Sequence, residues 1–183
     1  LETLVLGHGD RPRVVVGRTD QRVVGHEEVA PPSAVVSSLH RHARYDLVLP
    51  AQPAQHLTRV LRLEAGPALT VFNGRGGEYP AVLGARQGKT VTARLGNHDA
   101  VARESPLDIT LLQGVAGGER MDLIVQKATE LGVARILPVL AERSVVKVDA
   151  RQRERKLEHW QSIAISACEQ CGRNRVPEIA APA

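Results

Sequence analysis

Residues 107–140 narrow what this chain can fold into more than any other stretch. Residues 107–113 (LDITLLQ) form a nearly continuous apolar run of strand length, as expected of a strand covered on both faces. Gly114, Gly117 and Gly118 make a loop, after which Met121, Ile124, Val125, Ala128 and Leu131 recur at spacings of three and four. That period places one helical face against a core. Gly132 stands where a left-handed helix end is wanted, and residues 135–140 are a second strand. The order predicts a βαβ unit with a right-handed crossover. Asp149 with Gln152 three residues on predicts a capping box, opening a helix whose buried stripe is Leu157, Trp160, Ala164, Ala167, Cys168 and Cys171. Gly172 ends it, and residues 176–179 begin a third strand. Three strands leave an unpaired edge, so the segment reads as part of a domain.

The chain upstream has a different texture. Residues 46–49, 68–72, 78–83 and 90–95 read as short strands separated by glycine-containing turns, with Asn73-Gly74 as a tight-turn signal. Pro53 sits in the first turn of a short helix that turns Leu57, Val60 and Leu61 to one side and His56, Arg59 and Arg62 to the other. Several short strands with one helix predict a small barrel. The expected organisation is therefore an unassigned extension over 1–40, with strand-like pieces at 13–17 and 21–24, then a barrel over 41–95. A linker over 96–106 and an α/β segment over 107–183 complete it.

Composition sets the class. With 183 residues, 43% apolar and 24% charged, the chain has the balance of a globular protein that buries a core. Its longest apolar run, residues 136–141, is far shorter than the ~20 residues of a bilayer-spanning helix. No signal segment opens it, and two cysteines cannot staple a disulfide scaffold, so a cytoplasmic setting is expected. Residues 41–95 hold eight basic residues against three acidic ones, a local excess larger than the net +4 of the whole chain. Such a block attracts polyanions, although a merely solubilising surface has the same composition. One Trp, one Phe and two Tyr are too few for a base-stacking platform, which favours recognition of backbone and shape.

Candidate chemistry is sparse. Cys168-Glu169-Gln170-Cys171 lies late in a helix, where the macrodipole disfavours a thiolate, and no second pair exists to hold a metal. Two small core residues are the better reading, and no metal is expected. The loop from Gly114 to Arg120 lacks both the dinucleotide fingerprint and the P-loop ending, and reads as a turn that presents Glu119 and Arg120. Glu142-Arg143-Ser144 follows a strand at the carboxyl end of a parallel sheet, where open α/β folds bind ligands. Arg173-Asn174-Arg175 adds planar guanidinium donors suited to phosphate. Together on one rim, these two clusters make either an anionic-substrate site or an ordinary salt-bridge network.

Ordered blocks then carry a resemblance. Gly118-Glu119-Arg120-Met121-Asp122, residues 126–133 (QKATELGV), 142–147 (ERSVVK), Lys156-Leu157 and 167–178 (ACEQCGRNRVPE) resemble the RsmE family of bacterial ribosomal RNA methyltransferases. His56-Leu57, Arg59-Val60-Leu61-Arg62 and Phe72-Asn73-Gly74 are similar to that family's RNA-binding barrel, so the likeness runs from about Tyr45 onward. It implies an α/β fold plus a small β-barrel: a PUA-like barrel followed by a truncated SPOUT-type methyltransferase domain. It also implies a homodimer that uses S-adenosyl-L-methionine as cosubstrate and methylates N3 of a uridine in 16S, small-subunit ribosomal RNA. Glu142, Arg143, Glu169, Gln170, Arg173 and Asn174 are the implied catalytic positions. His56, Arg59, Arg62, Arg120 and Arg175 are the implied RNA contacts. The family's Gly-Pro-Glu-Gly-Gly segment, where the knot and the donor site are expected, is not in this sequence, so the alternative is an RNA-binding module without catalysis.

Overall fold

The computed structural model describes residues 13–15, 45–88, 90–141 and 149–183, which divide into two units at Ala102/Arg103. In the first unit, β1 (Arg13–Val15), β2 (Tyr45–Val48), β3 (Ala68–Phe72), β4 (Tyr79–Gln87) and β5 (Thr90–Leu95) form one sheet in the order β1-β3-β4-β5-β2. Neighbours are antiparallel except β1, which runs parallel to β3 with Arg13 opposite Thr70. Alternation along β3 and β5 turns Leu69, Val71, Val91, Ala93 and Leu95 inward, and Leu57 closes that core.

Three expectations need correction here. Residues 13–15, assigned above to an extension, are an edge strand of this sheet. Sequence adjacency gave no hint, because their partners lie more than fifty residues downstream. Arg13 anchors them, with one guanidinium nitrogen 3.0 Å from Glu78 Oε2 and its ζ-carbon 5.2 Å from the Phe72 ring centre. The strand-like piece at 21–24 lies outside the described residues. Asn73-Gly74 does not close a two-residue hairpin. Asn73 Oδ1 instead accepts the Arg75 N–H at 2.9 Å, Gly74 alone of the pair has positive φ (75°), and the loop continues to Glu78. Val60 is 50% exposed, although Leu57 is buried. The helix α1 (Ala51–Gln55) passes into a π-helical turn (His56–Val60), in which Leu61 N–H donates to the His56 carbonyl five residues back. The wider turn rotates position i+3 off the buried face.

The second unit is a parallel sheet, β6 (Thr110–Gly114), β7 (Arg135–Val139) and β8 (Glu178–Ile179), in the order β6-β7-β8. Helices α2 (Glu119–Glu130) and α3 (Ala150–Cys171) make the crossovers. Met121 and Val125 from α2 pack with Trp160 and Ala164 from α3 over Ile136 and Ile179 of the sheet. Leu131 is 81% exposed, contrary to its place in the periodic stripe, because the helix has already ended. There the Val133 N–H donates to the Ala128 carbonyl and the Gly132 N–H to the Thr129 carbonyl, a closure that requires the φ of 94° at Gly132.

The expectation of a sheet covered on both faces also fails among the described residues. Leu112 and Leu137, cross-strand partners, are 69% and 37% exposed. Sheet order follows chain order without reversal, so two crossovers of one hand place both helices on the same face. The capping box forms as expected: Asp149 Oδ1 accepts the Gln152 N–H at 2.8 Å, and Gln152 Oε1 accepts the Asp149 N–H at 3.3 Å. Replacing Asp149 with Ala is expected to cost about 1 kcal/mol, and Asp149→Asn much less, measured by urea unfolding.

Candidate functional site

The parallel sheet has two rims, and its connections sort the candidate residues between them. The loop that leaves β6, the end of β7 and the starts of α2 and α3 lie at the carboxyl rim. The segments that enter strands lie at the amino rim. Arg173, Asn174 and Arg175 occupy the amino rim, between the end of α3 and β8. The structure therefore does not bring this loop to the rim where β7 ends. Glu142 and Arg143 lie outside the described residues.

At the amino rim a single carboxylate organises the loop. Glu104 Oε2 lies 2.6 Å from one terminal nitrogen of Arg173 and accepts its Nε–H at 2.8 Å. Oε1 of the same side chain accepts backbone N–H groups from Asn174 (3.3 Å) and Arg175 (3.0 Å). The other terminal nitrogen of Arg173 donates to the Thr129 carbonyl at 2.8 Å and the Val133 carbonyl at 3.0 Å. Arg173 and Asn174 are buried, and Arg175 is exposed. Glu169 and Gln170, half-buried in the last turn of α3, sit toward the same rim. Sequence reasoning placed Glu104 in a linker. Its partners begin 69 residues away, and nothing local marks it.

The cysteines behave as small side chains at this rim. Cys168 is buried and its Sγ donates to the Arg175 carbonyl at 3.4 Å. Cys171, expected in the buried stripe, is exposed instead, at the last residue of the helix. Burial pushes the Cys168 thiol from 9.0 up to about 12, with the nearby Arg173 charge opposing in part. No group of three or more metal-ligating side chains occurs among the described residues.

At the carboxyl rim, Arg120 is exposed in the first turn of α2. Beside it a cavity of about 230 Å3 opens between α2 and α3, where His159 Nε2 lies 2.9 Å from Asp122 Oδ2. In the first unit His56, Arg59 and Arg62 are exposed on or just after the π-helical turn, and neither arginine forms an ion pair among the described residues. Arg62 has a φ of 52°, unusual for a residue with a side chain.

Comparison with known proteins matches both units. Residues 49–96 match a family described as an RNA methyltransferase PUA domain, and residues 103–183 match an RNA methyltransferase domain. Ribosomal RNA small subunit methyltransferase E of Bacillus subtilis is 31% identical over 70% of this chain, and that of Synechocystis is 36% identical over 69%. The chain belongs to this methyltransferase family. It spans 50% and 40% of the length of those two relatives.

Solved structures agree on the fold of the family. The small subunit methyltransferase E of Neisseria gonorrhoeae, bound to S-adenosyl methionine, superposes with a TM-score of 0.76 at 32% identity, over 94% of this chain and 62% of that one. A Legionella pneumophila structure described as a methyltransferase with bound SAM gives 0.77 at 36% identity, over 96% and 64%. A PUA unit followed by a SPOUT-type α/β unit is thus the architecture of this chain.

Two outcomes are expected from the amino-rim geometry. Glu104→Ala strands a buried guanidinium and should destabilise the second unit by about 3–5 kcal/mol, visible as lost hydrogen-exchange protection in α2 and β8. The raised Cys168 thiol favours folding fully below pH 9, and that contribution drains away as pH climbs toward 12, because only the unfolded chain releases the proton there. Unfolding free energy should therefore fall over that interval, and fall less in Cys168→Ala.

Proposed function

We propose that this chain serves S-adenosyl-L-methionine-dependent methylation of uridine N3 in small-subunit ribosomal RNA. The observation that carries the reading is the ordered pair of units, PUA then methyltransferase, each matched by sequence and together superposable on methyltransferases solved with the methyl donor. The basic block over 41–95 supports an RNA partner for the first unit.

The chemistry asks two things of the protein. Uridine N3 carries a weakly acidic proton, and its lone pair attacks only after that proton leaves. A group must therefore accept the proton or stabilise the anion while the base is held in line with an electrophilic methyl. When bound, the donor supplies that methyl on a positively charged sulfonium. The cavity between α2 and α3 is lined by Arg155 and Lys156 against a single carboxylate, Asp122, so its lining does not favour a sulfonium.

Glu142 and Arg143, which follow the strand that ends at the carboxyl rim, are the residues we assign to proton and anion handling. Arg120 at that rim, with His56, Arg59 and Arg62 on the first unit, grips phosphate. Glu169, Gln170, Arg173 and Asn174 act one step back, as positioning residues that set the loop carrying Arg175. The mismatch between cavity and donor favours one second reading, an RNA-binding polypeptide that does not hold the donor by itself.

Incubating the chain with labelled S-adenosyl-L-methionine and small-subunit RNA should yield label on N3 of one uridine, located by mass spectrometry. Absence of label, together with absence of donor binding by calorimetry, would leave the RNA-binding reading. Arg59→Ala/Arg62→Ala should weaken RNA binding and reduce its salt slope by about one unit per lost contact.

A further inference from the structure

The cavity at the carboxyl rim is built for an anion. Its floor is Met121 and Trp160, 1% and 2% exposed, and its wall carries Arg155, Lys156 and His159 opposite Asp122. Asp122 Oδ2 lies 2.9 Å from His159 Nε2. Among the described residues, Arg155 and Lys156 form no ion pair. Lys156 Nζ stands 5.8 Å from the Trp160 ring centre, so its charge is held over the aromatic floor.

Glu154 and Glu158, the acids of the same stretch, do not line the cavity. An apolar floor weakens screening of the cations above it, and the flat Arg155 guanidinium can donate two parallel bonds to phosphate oxygens. Arg151, exposed one turn earlier on α3, repeats the positive charge about 6 Å along the helix. A row of phosphates meets such a line of cations; a single small anion does not.

We propose that this cleft is a subsite for the phosphodiester backbone of RNA, with Arg155 and Lys156 as its contacts and Arg151 as its extension. The proposal rests on the reading that the chain binds ribosomal RNA, and it adds a contact surface on the second unit. Its placement where α2 and α3 begin puts the backbone at the rim that open α/β sheets use for ligands.

Trp160 is the only tryptophan of the chain, so its emission reports on the cleft directly. The full chain is titrated with a small-subunit ribosomal RNA fragment at several salt concentrations, and separately with inorganic phosphate. RNA should change the emission saturably, phosphate should not, and Arg155→Gln/Lys156→Gln should reduce the salt slope by about one unit per lost contact. Asp122→Asn should tighten binding, a gain that a misfolded variant cannot produce. An unchanged slope in Arg155→Gln/Lys156→Gln, with wild-type RNA binding intact, overturns the subsite and spares the wider reading. A full response to phosphate alone overturns the RNA backbone as occupant. Failure of the unaltered chain to bind RNA at any salt concentration overturns both.

Discussion

A carboxylate and a guanidinium taken out of water are costly unless every remaining donor and acceptor around them is used. The second unit meets that demand at Glu104 and Arg173, and much of its amino rim follows from it. Glu104 satisfies the guanidinium and two backbone amides of the loop before β8. Arg173 satisfies the Thr129 and Val133 carbonyls where α2 ends. The Thr129 carbonyl, already reached by the Gly132 N–H, thus gains a charged donor, so the pair ties the helix end to the loop. The segment before β6, the end of α2 and the entry to β8 are thereby tied at one place.

Opposite that clamp lies the carboxyl rim, where the proposed chemistry is assigned. Strands that run parallel deliver all their following loops to one side, and α2 and α3 both start there. Among the described residues, that rim carries an exposed Arg120 and the Arg155 and Lys156 wall of α3. In the first unit Arg59 sits on a π-helical turn whose wider winding leaves only Leu57 fully inserted. Its polar face is correspondingly broad, and it carries His56 and Arg59.

Local rules were legible wherever neighbours in sequence settled the outcome. The Asp149–Gln152 capping box and the left-handed Gly132 closed as read, because each involves atoms a few residues apart. The βαβ order was equally plain from periodicity. Val60, Leu131 and Cys171 departed from their apolar stripes because a helix widened or ended, and a period extrapolated through such a point assigns the wrong face. The edge strand 13–15 was legible as a strand and illegible as a partner. Its pairing with β3 and the Arg13–Glu78 contact span a long stretch of chain.

The blocks of matching residues determined the family and the order of its units, since those depend on identity and spacing alone. Helix caps and the strand–helix–strand rhythm were likewise fixed by local sterics and hydrogen bonding. Which rim each charged residue occupies was decided only by the folded chain. Glu104 and Arg173 became a buried clamp, and Arg155 with Lys156 became a cleft wall, because parallel strand order brings distant segments to the same edge. Charge at a position is a property of the sequence; its desolvation and its partners come from packing.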